Sequence, residues 1–374
     1  MIYFDSAATS KVDEEILDSY YKFLKMYYAN SSSTHKMGEE VSIIFDKARK
    51  QIADILKINS DELIFTSGAS EANNMALKGI LLKNIKTKKH VITSKVEHPS
   101  ILNCLKELEE MIDLEVTYLD VNNEGVISLD DLKNSIKENT VLVSIMFVNN
   151  ETGAINDIEG IKDVLKGKNI LFHCDATQGF MKLPLDLKGI DLLSMSGHKL
   201  YGLKGAGLLV KKRHVNLLPL INGGSQEFNL RAGTSNYPLM ISLSKTIRLA
   251  YENQAKYYKH VSTLRSYLYN ELIKMDEVLI NSPQNGSPYV LNFSLKGVNA
   301  KVIHNYLQTK GIMVSTVSAC SSSKITTSYV ILNMFNDVSR ASSSLRVSFS
   351  KYNTLEEVKE LIKALKEAII NIKR

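Results

Sequence analysis

Short apolar runs alternate with amphipathic stretches between residues 63 and 210. Short apolar runs bounded by turn-forming residues are typical of strands, and apolar residues spaced three and four apart are typical of helices. The pattern predicts strands at residues 63–66, 90–93, 115–118, 141–146, 170–173, 192–195 and 206–210. It predicts helices between them at residues 71–82, 100–111, 129–137 and 158–165. This alternation predicts an α/β fold in which helices cover both faces of a mostly parallel sheet.

The carboxyl-terminal third has a different pattern. Residues 235–275 form one long helical stretch, followed by predicted strands at 289–295 and 345–349 and predicted helices at 300–310 and 355–372. We therefore expect a second, smaller α+β unit after the long helix.

Composition narrows the class of protein. The 374 residues are 44% hydrophobic and 23% charged, which is typical of a globular protein. No apolar run approaches the roughly 18 residues that span a bilayer, and the first residues lack the features of a signal peptide. With three cysteines a disulfide framework is not indicated, so we expect a cytoplasmic protein. The net charge of +6 comes from scattered lysines without a nucleic-acid-binding motif, so we expect neither direct nucleic-acid binding nor a membrane partner.

Three groups of residues carry candidate chemistry. Lys199 follows Ser196 and His198, whose side chains can bind a phosphate, and a lysine amine can bond to an aldehyde. Asp175 directly follows an apolar strand-like run, where ligands gather in parallel sheets. Cys320 stands alone among small hydroxyl residues. Together they indicate pyridoxal 5'-phosphate (PLP) and, through the cysteine, sulfur chemistry.

At these residues the chain resembles the cysteine desulfurases of the NifS/IscS type, within the class V aminotransferase group of fold-type I PLP enzymes. The resemblance extends from Asp5 to about Ser350. Its landmarks occur in family order at residues 5–9, 66–71, 97–99, 148–151, 175–178, 196–199, 231–234, 318–320 and 345–346.

The resemblance implies a division into two domains. Residues 13–255 would form the large PLP-binding domain. Residues 1–12 and 256–374 would form the small domain, which carries the cysteine loop.

The resemblance also implies how the cofactor ring is held. Lys199 would bond to the PLP aldehyde, and Asp175 would pair with the pyridine nitrogen. Gln178 would bind the phenolic oxygen, and Asn150 would lie beside the ring and the substrate carboxylate. Without the resemblance Asp175 could equally be a helix N-cap, and the two amides could be ordinary loop residues.

The phosphate would bind at two places in the chain. Ala69 and Ser70 open a predicted helix, whose amino terminus favours an anion. Ser196 and His198 match further phosphate binders of the family. Thr234 matches a threonine that reaches the phosphate of the neighbouring subunit, which implies a homodimer.

His98 and Arg346 complete the predicted site. His98 matches the histidine that stacks on the cofactor ring and moves protons, although a histidine before Pro99 could also begin a helix. Arg346 matches the arginine that binds the substrate carboxylate, for which a planar guanidinium is suited. An ordinary salt bridge is the alternative for Arg346.

Cys320 identifies the reaction. A thiolate attacks sulfur well and needs access to it. The polar segment around Cys320 has little apolar content, so we expect weak order at residues 321–327. Cys104 and Cys174 lie within predicted elements and are expected to be small buried residues.

We interpret the chain as a cysteine desulfurase that converts L-cysteine to L-alanine and leaves a persulfide on Cys320. The sulfur would pass to an acceptor protein, either an iron–sulfur scaffold or a tRNA-thiolation enzyme. The chain ends at Arg374 without the extended tail that binds the scaffold in some family members, and this favours a tRNA-thiolation enzyme or another dedicated acceptor without excluding the scaffold. Alternatives are a selenocysteine lyase, a transaminase-like relative, and a non-enzymatic sulfur-assembly paralogue.

The chain departs from the family pattern near the site. Ser6 stands where an asparagine is usual, and Ser31 and Leu203 stand where prolines are usual. Phe228 replaces a common arginine, and Val317 replaces a glycine or serine. No group that the core chemistry needs is lost.

Overall fold

The computed structural model describes residues 1–83, 85–316 and 327–373. Its strands are β1 (Ile2–Tyr3), β2 (Leu63–Thr66), β3 (Lys89–Ser94), β4 (Leu114–Leu119), β5 (Thr140–Ser144), β6 (Leu171–Asp175), β7 (Leu192–Ser196), β8 (Gly207–Lys211), β9 (Val278–Ile280), β10 (Val290–Leu295), β11 (Ile312–Met313) and β12 (Ser344–Ser348).

The helices are α1 (Glu14–Met26), α2 (Lys36–Leu56), α3 (Ala69–Leu81), α4 (Pro99–Met111), α5 (Leu129–Asn134), α6 (Ile158–Leu165), the short α7 (Gln226–Asn229), α8 (Tyr237–Leu272), α9 (Ala300–Thr309), α10 (Tyr329–Phe335), α11 (Val338–Ser342) and α12 (Leu355–Lys373). No helix among the described residues is long and apolar enough to cross a membrane.

The large sheet has the strand order β2-β8-β7-β6-β5-β3-β4. Its strands pair in parallel except for β8, which runs antiparallel to both β2 and β7. The predicted mostly parallel α/β sheet is thus confirmed, with each predicted strand present. Because parallel strands end at one edge, the residues that follow β6 and β5 meet there.

Both faces of this sheet are buried, and alternate strand residues supply the two faces. Phe172 and Leu193 belong to an apolar cluster on one face, whereas Leu142 and Leu192 belong to the cluster on the other. Continuous apolar strands are the sequence signal of such a sheet.

A third apolar cluster lies under the small antiparallel sheet β12-β10-β9. It includes Phe4 of the amino-terminal segment, whose ring centroid is 5.7 Å from that of Phe349. Along α8, Ala250 packs in the cluster of the large sheet that contains Phe172, and Val261 packs in the third cluster. On this basis we propose the division between residues 13–255 and residues 1–12 with 256–374. The helices α10 and α11 nevertheless pack on the cluster that contains Phe172, although they lie within residues 256–374.

Candidate active site

A cavity of about 380 Å³ opens at the edge where the parallel strands end. Ten of the predicted site residues line it: Ala69, Ser70, His98, Asn150, Asp175, Gln178, Ser196, His198, Lys199 and Arg346. Thr234 is exposed and does not line the cavity. Cys320 and the neighbouring residues 317–326 lie outside the described residues. The structure thus brings together residues from both ends of the chain, while their roles stay predictions.

Lys199 ends a single 3-10 turn, Gly197–Lys199, that follows β7 directly. Its Nζ donates hydrogen bonds to the carbonyl oxygens of Ala7 and Ala8, both at 2.5 Å. The turn is fixed by backbone bonds, among them one from Ser10 N to the His198 oxygen at 2.9 Å. The lysine amine is therefore held at the cavity wall by the amino-terminal segment.

A chain of hydrogen bonds connects Asp175 with His98. Asn73 Nδ2 donates to Asp175 Oδ2 at 2.8 Å and to Ser100 Oγ at 2.9 Å. Ser100 Oγ lies 2.8 Å from His98 Nδ1, and the Ser100 backbone N–H also donates to that nitrogen. Because Nδ1 accepts a backbone bond, the proton of the neutral ring is on Nε2. Asp175 and His98 are thus oriented together.

Asn73 and Ser100 are site residues that the sequence analysis missed. Asn73 is fully buried on α3 between the apolar residues Ala72 and Met75. A buried amide needs hydrogen-bond partners, and a polar residue on the apolar face of an amphipathic helix is the signal that could have found it. Ser100 carries no comparable signal.

Glu97 is a second buried carboxyl group beside the site. Its Oε1 accepts from Ser94 Oγ at 2.7 Å and from Met146 N at 3.1 Å. Burial raises the pKa of Glu97 to about 8, and the nearby charge of Asp175 adds to the increase. Glu97 is therefore largely protonated at neutral pH, since two close carboxylates do not both ionise readily.

The turn before α3 forms an anion cradle. α3 begins at Ala69 with Gly68 at its N-cap, so its first backbone N–H groups point towards the cavity edge. Glu71 Oε2 accepts from Ser67 N at 2.9 Å and fixes the turn. A Cβ added to Gly207 of β8 would lie 2.5 Å from the Gly68 Cα, so only glycine lets this strand pack under the cradle.

His198 faces the cradle from the Lys199 turn. Its Nδ1 lies 3.1 Å from Thr9 Oγ1. Burial, together with the charges of Lys199 and Lys204, lowers the pKa of His198 to about 4. The ring is therefore neutral at pH 7 and can donate a hydrogen bond to an anion without adding charge.

Arg346 forms the opposite wall of the cavity. It lies on β12, and its backbone N and O both bond to Ser315. The guanidinium is 3% exposed and donates from Nη1 to the Asn150 oxygen at 3.0 Å and from Nη2 to Asp5 Oδ1 at 2.8 Å. The predicted alternative of a salt bridge is thus present, and Nε has no partner among the described residues.

Cys104 and Cys174 are free, buried thiols. Burial raises the pKa of Cys104 to about 11 and that of Cys174 well above its usual value. Both thiols therefore stay protonated at neutral pH, and neither lines the cavity. This agrees with the prediction that they are small buried residues.

Comparison with known proteins decides the family. The model of the family "Aminotransferase class-V" matches residues 2–361. The chain belongs to this family. It is 40% identical over 372 residues to a cysteine desulfurase IscS of Dictyoglomus turgidum, covering 98% of this chain and 94% of the relative. Membership of the cysteine desulfurases follows.

Similar solved structures agree with this assignment. A NifS-like protein superposes with a TM-score of 0.92 at 34% identity, over 98% of this chain and 99% of its own. A structure titled SspA in complex with cysteine superposes with a TM-score of 0.82 at 34% identity, over 95% and 100% of the two chains. The predicted family, fold and enzyme class are confirmed, and enzymes of this family depend on PLP.

Proposed function

We propose that this class-V protein converts L-cysteine to L-alanine and receives the sulfur as a persulfide on Cys320. The observation that carries the proposal is one cavity lined by a lysine amine, a carboxylate and a guanidinium: Lys199, Asp175 and Arg346. Similarity to cysteine desulfurases over nearly the whole chain supports the same reaction.

The residues around the cavity fit PLP. Buried oxygen atoms of three lining residues have no partner among the described residues: Asn150 Oδ1, Thr177 Oγ1 and Gln178 Oε1. Buried polar atoms normally have partners, so these atoms fit a polar ring bound in the cavity. The anion cradle at α3 fits a phosphate at one end.

Each functional group of the cofactor ring then has a residue that would bind it. Lys199 would bond to the aldehyde, and Asp175 would hold the pyridine nitrogen protonated, supported by Asn73. His98 would stack on the ring, and Gln178, whose Nε2 already donates to the Ala7 oxygen at 3.0 Å, would meet the phenolic oxygen.

The phosphate would meet residues on both sides of the cradle. Ala69 and Ser70 would supply donors from the start of α3, and Ser196 and His198 would supply them from the end of β7 and the turn after it.

When bound, PLP supplies an electron sink for the α-carbon of an amino acid. Residues of the chain would bind the substrate, move protons and accept the sulfur. Arg346 would grip the substrate carboxylate with Asn150 beside it, and His98 Nε2 and the Lys199 amine would move protons. The Cys320 thiolate would bond to the substrate sulfur as the carbon–sulfur bond breaks. The carbon would keep that electron pair and take a proton, which yields alanine.

We also propose a homodimer in which Thr234 reaches the phosphate of the neighbouring subunit. Members of the family pass sulfur to acceptor proteins, and an iron–sulfur scaffold or a tRNA-thiolation enzyme is the proposed acceptor here. A cytoplasmic location stays a prediction.

The test is to supply purified, PLP-loaded protein with L-cysteine and to measure alanine and protein-bound sulfane sulfur. Equal amounts of alanine and of persulfide on Cys320 are expected. Turnover of selenocysteine without turnover of cysteine would contradict the proposal in favour of a selenocysteine lyase, and no turnover of either would favour the non-enzymatic alternative.

A further inference from the structure

The short element α7 is not a regular right-handed helix, because its residues 227–229 form a turn of left-handed backbone without a glycine. The φ angles of Glu227, Phe228 and Asn229 are 46°, 57° and 64°. Side chains crowd the following carbonyl oxygen in this region, and only asparagine among the three tolerates it well. Such a turn persists where its surroundings hold it in place.

A buried ion pair holds this turn. The Glu227 carboxylate accepts from Arg49 Nη2 at 2.6 Å, from Arg49 Nη1 at 3.0 Å and from Phe65 N at 2.8 Å. Arg49 also donates to the Leu63 oxygen at 2.5 Å, and its Cζ lies 5.1 Å from the Phe228 ring centroid. The turn is thus fastened to β2, the strand that leads into the anion cradle.

A second ion pair holds the end of the same segment. Arg231 Nε donates to Glu71 Oε1 at 2.9 Å, and the other oxygen of Glu71 accepts from Ser67 N of the cradle. The segment from Glu227 to Arg231 is therefore held at two separate points, one on β2 and one at the cradle.

The segment is closely followed by two residues at the protein surface. Gly233 and Thr234 are exposed, and Thr234 does not line the cavity of its own chain. The two ion pairs therefore set the position from which Thr234 is presented outwards.

A buried ion pair is by itself weak evidence of a stabilising role. Replacing a buried ion pair by apolar residues is often neutral for a fold, and the left-handed turn is itself unfavourable. A backbone turn that is unfavourable by itself and is held by an ion pair is expected where the position of nearby residues matters for function.

We infer that Glu227 and Arg49 are positioning residues, which hold the left-handed turn so that Thr234 reaches the phosphate site of a second copy of this chain. The inference rests on the homodimer of the proposed function. It explains how an exposed threonine can have a defined place in a neighbouring site.

The test measures how fast bound PLP is lost on dilution, together with the melting temperature of the cofactor-free protein. Glu227→Gln should lose PLP about tenfold faster than the unchanged protein, because one partner of a buried charge pair is gone. Arg49→Met/Glu227→Gln, which leaves no unpaired charge, should also lose PLP faster even where its melting temperature is normal.

Rescue distinguishes positioning from a direct role. Phe228→Gly/Asn229→Gly removes the steric cost of the left-handed turn at these two positions, because glycine has no Cβ. Added to Arg49→Met/Glu227→Gln, this pair should restore PLP retention to within about threefold of the unchanged protein. By itself the glycine pair should retain PLP normally.

Thr234→Val separates the positioning role of Glu227 and Arg49 from the phosphate-binding role of Thr234. Fast PLP loss in Thr234→Val with normal retention in Arg49→Met/Glu227→Gln would overturn the positioning inference. Failure of the glycine rescue would overturn it as well. Both outcomes would leave the proposed role of Thr234 in the neighbouring subunit standing. Normal retention in Thr234→Val would overturn the role of Thr234 itself, and the inference with it. Fast loss in both, with glycine rescue, is the expected result.

Discussion

The two walls of the cavity are held by different kinds of contact. At the sheet edge, Asn73 of α3 donates to Asp175 at the end of β6 and to Ser100 of α4. On the opposite wall, Arg346 bonds to Asp5, 341 positions earlier in the chain. The first wall follows from the order of the strands, and the second exists only where the ends of the chain meet.

The amino-terminal segment connects the two walls. Ala7 N donates to Ser348 Oγ at 2.9 Å on the β12 side, and the Ala7 oxygen accepts from Lys199 Nζ on the sheet side. Damage to the sheet wall should therefore affect cofactor chemistry, and damage to the β12 wall should affect substrate binding.

The largest effect is expected at the sheet wall. Lys199→Ala removes the amine that would bond to the cofactor, so alanine formation should fall by roughly 10³-fold or more. Borohydride reduction followed by peptide mass spectrometry should find the cofactor on Lys199 in the unchanged protein. Lys296→Ala, on the surface of the small unit, should behave normally. A reduced adduct on another lysine would contradict the assignment.

Cys320→Ser should separate cofactor chemistry from sulfur transfer. The variant should retain bound PLP and still change its absorption spectrum with L-cysteine, while sulfur release falls by roughly 10²-fold or more. Cys104→Ser should release sulfur normally, since burial keeps that thiol protonated. Normal release by Cys320→Ser would require another nucleophile.

Arg346→Lys tests the wall at β12. Lysine cannot reproduce the planar two-pronged grip, so the KM for L-cysteine should rise roughly 10- to 100-fold while PLP affinity is unchanged. Asp5→Asn should raise KM less, because it removes the charge that orients Arg346 but not the guanidinium. Loss of PLP from Arg346→Lys would show that the walls are not separable.

Asn73→Ala should lower the affinity for PLP rather than raise KM, and its effect should be smaller than that of Arg346→Lys. Losing its two hydrogen bonds frees Asp175 and Ser100, so we expect PLP affinity to fall roughly three- to tenfold with little change in KM. Asn253→Ala, the same substitution on α8, is the matched control. A change in KM with normal PLP affinity would place Asn73 on the substrate side.

The smallest effect concerns acid stability. The folded pKa of His198 is about 4, below its unfolded value of 6.5, so the unfolded state binds more protons between these values. The stability of the cofactor-free protein should therefore fall as pH falls from 6.5 to 4. His198→Gln should reduce that slope by at most about 1.4 kcal/mol per pH unit. Buried His173, whose pKa is also about 4, should maintain part of it.

Unfolding at a series of pH values measures this slope. His304→Gln on α9 is the control and should leave it unchanged. An identical slope in His198→Gln would show that the histidine is not buried as a neutral ring.

The predictable parts of the molecule are those in which local pattern and tertiary environment agree. The middle of β5 (residues 141–143) and the start of β6 (residues 171–172) are apolar because both faces of the large sheet are buried, and α3 is amphipathic because one face packs on that sheet. Asp175 ends β6 and Lys199 ends the turn after β7, so their place at the sheet edge could be predicted from the apolar runs before them. β1 and β11 have two residues each and were missed, since so short a run carries no periodicity.

The sequence by itself determined the sheet, the family and most of the residues at the cavity, because strand periodicity and residue types at fixed spacing are local properties. Only the tertiary structure decided which groups touch. The chain of bonds from Asn73 to Asp175 spans 102 positions, and the bond between Arg346 and Asp5 spans 341. Contacts between residues so far apart depend on how whole elements pack, and so do the neutral state of Glu97 and the left-handed turn at Glu227. Burial and a distant charge fix these features, and neither is written in the neighbouring residues.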